Sequence, residues 1–167
     1  MTNDSPDANR SEIRRLIALF ALAYFAQGLS QAGGLISQPL NYYLKTGLGL
    51  SATDISEYLA ILTIPWVVKP IYGLISDYIP LFGYRRRTWL MLVNLIAASG
   101  FLWLIGLKDV STIVMALVLT AFGTAFSDVI IDALVVENGN RTGQTARFQG
   151  MQWIAFRVAS ILTALTG

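Results

Sequence analysis

The chain has 167 residues, 54% hydrophobic and 13% charged, with mean hydropathy +0.57 and net charge +2. Soluble domains carry about 25% charged residues, and a core of this length cannot hide so much apolar surface, so lipid is the solvent for most of it. Without cysteine or histidine, disulfides, thiolate nucleophiles, Cys/His zinc sites and histidine acid–base catalysis are excluded, and so small a net charge gives no reason to expect nucleic acid as a partner.

Residues 1–15 hold Asp4, Asp7, Arg10, Glu12, Arg14 and Arg15. This mixed-sign segment is unlike an organellar transit peptide and reads as a cytoplasmic tail. A membrane-crossing helix needs about 20 apolar residues, and five stretches qualify. The first, 16–44, has no charged residue; Pro39 near its end is placed to bend or terminate it. The second is 58–76, interrupted by Lys69. The third, 88–107, is uncharged. The fourth, 110–136, carries Asp128 and Asp132, and the fifth, 148–167, carries Arg157. Unbroken apolarity favours helices over barrel strands, which would alternate. The connections are short, with no inserted soluble domain.

Lysine and arginine set the orientation. The N-terminal segment and the second and fourth loops hold Arg10, Arg14, Arg15, Arg85, Arg86, Arg87, Arg141 and Arg147, whereas the first and third loops hold only Lys45 and Lys108. That alternation predicts a multi-pass protein with a cytoplasmic N terminus. The mixed-charge tail favours a bacterial plasma membrane over an organelle envelope. Along the first span, Ala23, Ala26, Ser30, Gly33 and Ser37 recur at steps of three and four, a stripe suited to close helix packing or to sliding.

The second loop runs Gly73-Leu74-Ile75-Ser76-Asp77, then 78–83, then Tyr84-Arg85-Arg86-Arg87. A glycine, an aspartate four residues on and an arginine cluster between the second and third spans resemble the signature loop of the major facilitator superfamily. In such a loop a guanidinium can pair with Asp77 in one conformation and release it in another; the plainer reading is a positively charged anchor. Val68-Lys69-Pro70-Ile71-Tyr72-Gly73-Leu74-Ile75-Ser76-Asp77, Phe82-Gly83-Tyr84-Arg85-Arg86-Arg87 and Ser127 through Glu137 together resemble the folate–biopterin transporter family. The resemblance spans nearly the whole chain. It implies an all-α transmembrane fold of about twelve helices in two related halves, of which this chain would supply the N-terminal five, truncated inside the fifth. It also implies carriage of folates, pterins or other metabolites.

Ionised side chains near mid-bilayer cost about 2.5–3.5 kcal/mol each on insertion scales. At ~1.5 Å per residue from boundaries at Asp77, Glu137 and Arg147, Lys69 lies about 12 Å deep, Asp128 about 13.5 Å and Arg157 about 15 Å, close to the middle of a ~30 Å hydrocarbon core. Asp132 is shallower, about 7.5 Å by the same rise, and shares a helical face with Asp128. Lys69 and Arg157 are therefore expected to receive an anionic substrate, with Asp128 balancing them; Asp128 and Asp132 are candidates for proton coupling. A plain Lys69–Asp128 salt bridge that neutralises both is the competing reading. In inverted-repeat transporters with midplane sites, Lys69 and Arg157 would occupy related positions. Gln27, Gln31, Gln38, Asn41, Asn94, Gln149 and Gln152 add polar groups that suit either a cavity or helix packing. Trp66, Trp89, Trp103 and Trp153 suit packing or the interface better than pterin stacking; Trp89 fits an interfacial belt.

These readings converge on a secondary transporter of folate- or pterin-type anions working by alternating access, without a cofactor beyond a coupling proton, and completed by a separately encoded C-terminal half. The alternatives are a non-transporting membrane scaffold of the same superfamily and an inactive truncated product. No Walker-type loop is present, and two carboxylates on one helix without a nucleophile or metal ligands do not make an enzyme.

Overall fold

The computed structural model describes residues 6–30 and 37–166. Their regular structure is helical: α1 (Pro6–Ser30), α2 (Ser37–Tyr42) leading into a π-helical turn (Tyr43–Gly47), α3 (Ala52–Ile61), α4 (Ile64–Val67), α5 (Lys69–Tyr78), α6 (Arg86–Trp103), α7 (Val110–Thr142) and α8 (Thr145–Thr166). An all-α membrane fold is what the uninterrupted apolar stretches require. Arg10–Ser30, Ala52–Tyr78 and Val110–Thr142 are long and apolar enough to cross a membrane. Helices α6 and α8 fall short of that measure, α6 because it starts at Arg86 and Arg87, α8 because it carries Gln149, Gln152 and Arg157.

Element bounds differ from the sequence expectation in identifiable places. The segment before Leu16 is helical from Pro6, continuous with α1. Pro39 stands in the first turn of α2, and the stretch linking α2 to α1, with Gln31 and Gly33, lies outside the described residues. The second apolar stretch begins earlier, at a capping box: the Ser51 hydroxyl accepts from Asp54 N–H while the Asp54 carboxylate accepts from Ser51 N–H. It is then cut into three helices, each later piece opening with a proline, Pro65 in α4 and Pro70 in α5, because proline lacks the N–H that would continue the ladder. Helix α7 passes the expected end at Val136 and runs to Thr142, where Gly143 caps it in the left-handed conformation, φ +67°.

Helix α7 is the hub, packing against α1, α4, α5, α6 and α8, while α1 packs mainly along α8. Close approach decides these contacts. A Cβ on Gly123 would lie 2.5 Å from the Val93 carbonyl oxygen and 2.7 Å from Ala97 N, so α6 and α7 meet backbone to backbone. On α1 a Cβ at Gly28 would lie 2.7 Å from Ala159 Cβ. Aromatic rings fill the rest. Tyr72 stacks on Phe126 at 4.8 Å, Phe126 on Trp89 at 5.3 Å, and Phe20 meets Phe148 edge-on at 5.4 Å. Leu22, Leu95, Ile105 and Leu165 lie at least two-thirds exposed, the pattern of a bundle whose outer face meets hydrocarbon.

Candidate functional site

The polar residues inside the bundle gather on one face of α7. Asp128 and Asp132 are one turn apart, and each is gripped by other helices. Asp128, 7% exposed, accepts from Gln27 Nε2 of α1 and forms a salt bridge with Lys69 Nζ of α5 at 2.5 Å. Asp132 Oδ1 accepts from the Tyr24 hydroxyl of α1 and, at 2.9 Å, from Gln152 Nε2 of α8. Two rungs thus join α1 to α7 through residues three apart on one helix and four apart on the other. Two carboxylates this close would repel; Lys69 supplies the cation that offsets one of them.

Lys69 is positioned by the break at Val68, which starts a new helix at Lys69 itself. Its ammonium also lies 4.4 Å from the Trp66 ring centroid, a cation–π contact. A third of the lysine side chain is exposed, against about a tenth of Asp128's. The pair is buried on the acid side and open on the base side. That asymmetry matters chemically: a ligand can reach the lysine while Asp128 stays behind it.

Arg157 is not brought to this pair. It lies on the exposed face of α8, its guanidinium 6.0 Å from the Trp153 ring centroid, and makes no ion pair among the described residues. Contact between Lys69 and Asp128 places those two at one level.

The signature loop forms a second cluster. Arg86, the first residue of α6, donates from Nε and Nη2 to Asp77 Oδ1 at 3.2 and 2.9 Å and from Nη1 to Glu137 Oε2 at 2.5 Å. One guanidinium therefore ties the end of α5 to the C-terminal extension of α7. Arg85 precedes it as the N-cap and Arg87 follows it in the first turn, neither of them in an ion pair among the described residues. Gly73 lies on α5 with Val129 as its neighbour; a Cβ there would sit at an ordinary 3.6 Å. Trp89 donates Nε1–H to the Ile79 carbonyl at 2.7 Å beside this loop.

A recess of about 910 Å³ joins the two clusters, lined by Asp77, Tyr78, Arg85, Arg86, Asp132 and Glu137 among others. Asp132 thus opens toward the arginine-rich end of the bundle. A separate, mostly apolar groove of about 500 Å³ runs between α1, α6 and α7. Ala23, Ala26 and Ser30 of the small-residue stripe line this groove, Ala23 also packing against the Phe20 cluster, while Gly33 lies outside the described residues; a close approach on α1 falls at Gly28. Among the described residues no group of acids suits a metal ion.

Four residues that hold these clusters together carry little signal in the sequence. Tyr24 offers no motif and looks like one apolar aromatic among many. Glu137 stands in the sequence as a span boundary and the end of the 127–137 segment, with nothing to mark Arg86 as its partner. Gln27 and Gln152 were visible as polar groups within spans, without any indication that each holds a carboxylate.

An all-helical bundle with paired charges inside its apolar stretches is an integral membrane protein. The chain belongs to the BT1 family, whose model matches residues 27–167. It is 38% identical over 154 residues to a folate–biopterin transporter of Synechocystis, covering 89% of this chain and 30% of that protein. It is 32% identical over 166 residues to probable folate–biopterin transporter 9, chloroplastic, of Arabidopsis thaliana, covering 95% and 29%. It is 30% identical over 131 residues to folate transporter 1 of Plasmodium falciparum, covering 75% and 26%. The chain spans less than a third of the length of these relatives, which bear the names of transporters and not of enzymes. No solved structure matches it.

Proposed function

We propose that the chain forms part of a secondary transporter that moves a folate- or pterin-type anion by alternating access in a major facilitator-type fold. The observation that carries this reading is the Lys69–Asp128 pair, with its lysine open and its aspartate buried. A carboxylate arriving at Lys69 competes with Asp128 for the ammonium; Asp128, left without its cation, gains affinity for a proton. Substrate anion and proton are then taken up together, and the charge inside the membrane stays balanced. Arg157, without an acid partner among the described residues, is a second cation available to a substrate with more than one carboxylate, once its helix turns toward the cavity.

Asp132 relays the proton between Asp128 and the recess at the arginine-rich end, which is the cytoplasmic end if the charge bias sets the orientation. Arg86, holding Asp77 and Glu137 together, is the latch of that end, and Gly73, Arg85 and Arg87 are the neighbours through which α5 and α6 move as it opens. The relatives are about three times as long, so transport is expected to need the further helices they carry.

Uptake of labelled folate into cells expressing this chain with a C-terminal half from the Synechocystis relative tests the reading. Saturable uptake that collapses in Lys69→Ala and Arg157→Ala is the expected result. Uptake that proceeds unchanged in both variants would remove the anion site; uptake by the 167-residue chain alone would show that no further helices are needed.

A further inference from the structure

Gln27 carries an unexplained atom. The residue is 7% exposed, its Nε2 donates to Asp128 Oδ1, and its Oε1 is buried with no hydrogen-bond partner among the described residues. Buried acceptors without partners are uncommon and costly. We propose that Gln27 is a positioning residue whose amide turns over when Asp128 gains a proton, its Nε2–H serving the carboxylate and its Oε1 serving the acid.

The chemistry follows from what each state of Asp128 offers. An ionised carboxylate only accepts, so the amide must present its NH₂, which strands Oε1. A protonated carboxyl has an O–H that must donate, and the group within reach is the same amide, rotated by half a turn about Cγ–Cδ. The two ends of a primary amide are nearly equal in size, so the rotation requires little repacking. Gln27 thereby keeps α1 on α7 in both protonation states, where a lysine, which only donates, would suit the carboxylate alone. The proton comes from water and binds an Asp128 oxygen; Lys69 keeps its three protons as it moves to the anion. The charged and titratable groups facing Asp128 are Lys69 from α5, Tyr24 from α1 and Asp132 on its own helix. At this level α6 presents Asn94, bonded to Ser127, and α8 presents Gln152, bonded to Asp132. The trigger, departure of Lys69, rests on the transport reading above, but the amide's behaviour does not.

Infrared titration of the chain in lipid nanodiscs, without substrate, tests the proposal. The Asp128 carboxyl band is identified by its loss in Asp128→Asn, and the acid form is populated in Lys69→Met. In Gln27→Leu the titration midpoint is expected to stay nearly where it was, since both forms lose one hydrogen bond, while the acid's C=O band moves to the higher frequency of an unbonded acid. A midpoint raised by about tenfold in proton affinity, one pH unit, with the acid band unmoved, would show that Gln27 serves only the carboxylate and would overturn the proposal. Gln27→Met, closer in shape, gives the same readout if the leucine variant does not fold. Loss of these infrared effects with uptake still dependent on Lys69 would sink the Gln27 inference alone; their presence with uptake indifferent to Lys69 would sink the transport reading alone.

Discussion

Lys69 and Asp128, separated by 59 residues, join α5 to α7 through a 2.5 Å contact in which the base is three times as exposed as the acid. Burial on one side and access on the other leave the ammonium, and not the carboxylate, open to a further partner. A bridge buried on both sides would need no opening for a ligand.

Removing one partner strands the other in low dielectric, which costs about 3 kcal/mol for a buried pair. Asp128→Leu leaves an ammonium that can turn to the open side, so Lys69→Met is expected to be the more destabilising single change. The double variant Lys69→Met/Asp128→Leu should recover part of the loss. Thermal unfolding in detergent checks the order; a double variant less stable than both singles would contradict it.

At the arginine-rich end, Arg86→Lys keeps the charge but cannot reach Asp77 and Glu137 together, because an ammonium has no planar fork. Exposed ion pairs contribute about 0.2–1 kcal/mol each, so the fold is expected to survive with a loss of about 1 kcal/mol. Uptake should fall further in Arg86→Lys than in Arg85→Lys or Arg87→Lys, whose guanidinia hold no acid among the described residues. Equal losses in the three would assign the cluster to membrane anchoring.

Two glycines separate packing from motion. Gly123→Ala drives a methyl group into the α6 backbone, where the Val93 carbonyl and Ala97 N cannot yield as a side-chain end would; overpacking of this kind costs about 1–3 kcal/mol. Gly73→Ala meets Val129 at an ordinary distance and gains about 1 kcal/mol of helix propensity. If Gly73→Ala nevertheless abolishes uptake, the requirement lies in a conformation other than this one. Thermal stability and uptake on the two variants give the comparison.

The start of α7 is pH-dependent. Hydrogen bonds from the Thr112 N–H and hydroxyl to the Asp109 carboxylate hold its pKa below the ordinary value. A depressed folded-state pKa stabilises above the unfolded carboxylate pKa of about 3.9, and the contribution is lost as pH falls through the lower folded value. Asp109→Ala is therefore expected to be less stable than the parent chain at neutral pH and to converge with it on acidification. A gap that persists unchanged into acid would rule out the charged cap as its source.

How much of this was legible depended on whether the signal was local. Apolar runs of span length announced the helices, and the Lys69–Asp128 pairing followed from depth along two of them. Ser51 and Asp54, three apart, are a capping box readable from spacing alone, and Pro65 and Pro70 mark the breaks in the second stretch. The polar run from Glu137 to Thr142 resembled a loop because its helix is held by partners remote in sequence: Glu137 by Arg86, and Arg141 by Glu12. Tyr24 meeting Asp132 across 108 residues is likewise a product of the rotation of α1 about its axis, which no period in the sequence fixes.

The recess beneath Asp132 also has an electrical consequence. Filled with water, it carries the bulk potential of its own side inward to that carboxylate, so the voltage across the bilayer drops over a thinner layer beyond it. Each elementary charge crossing the full potential exchanges about 2.3 kcal/mol per 100 mV. A charge moving between Asp132 and the opposite face would harvest most of that work over a fraction of the distance.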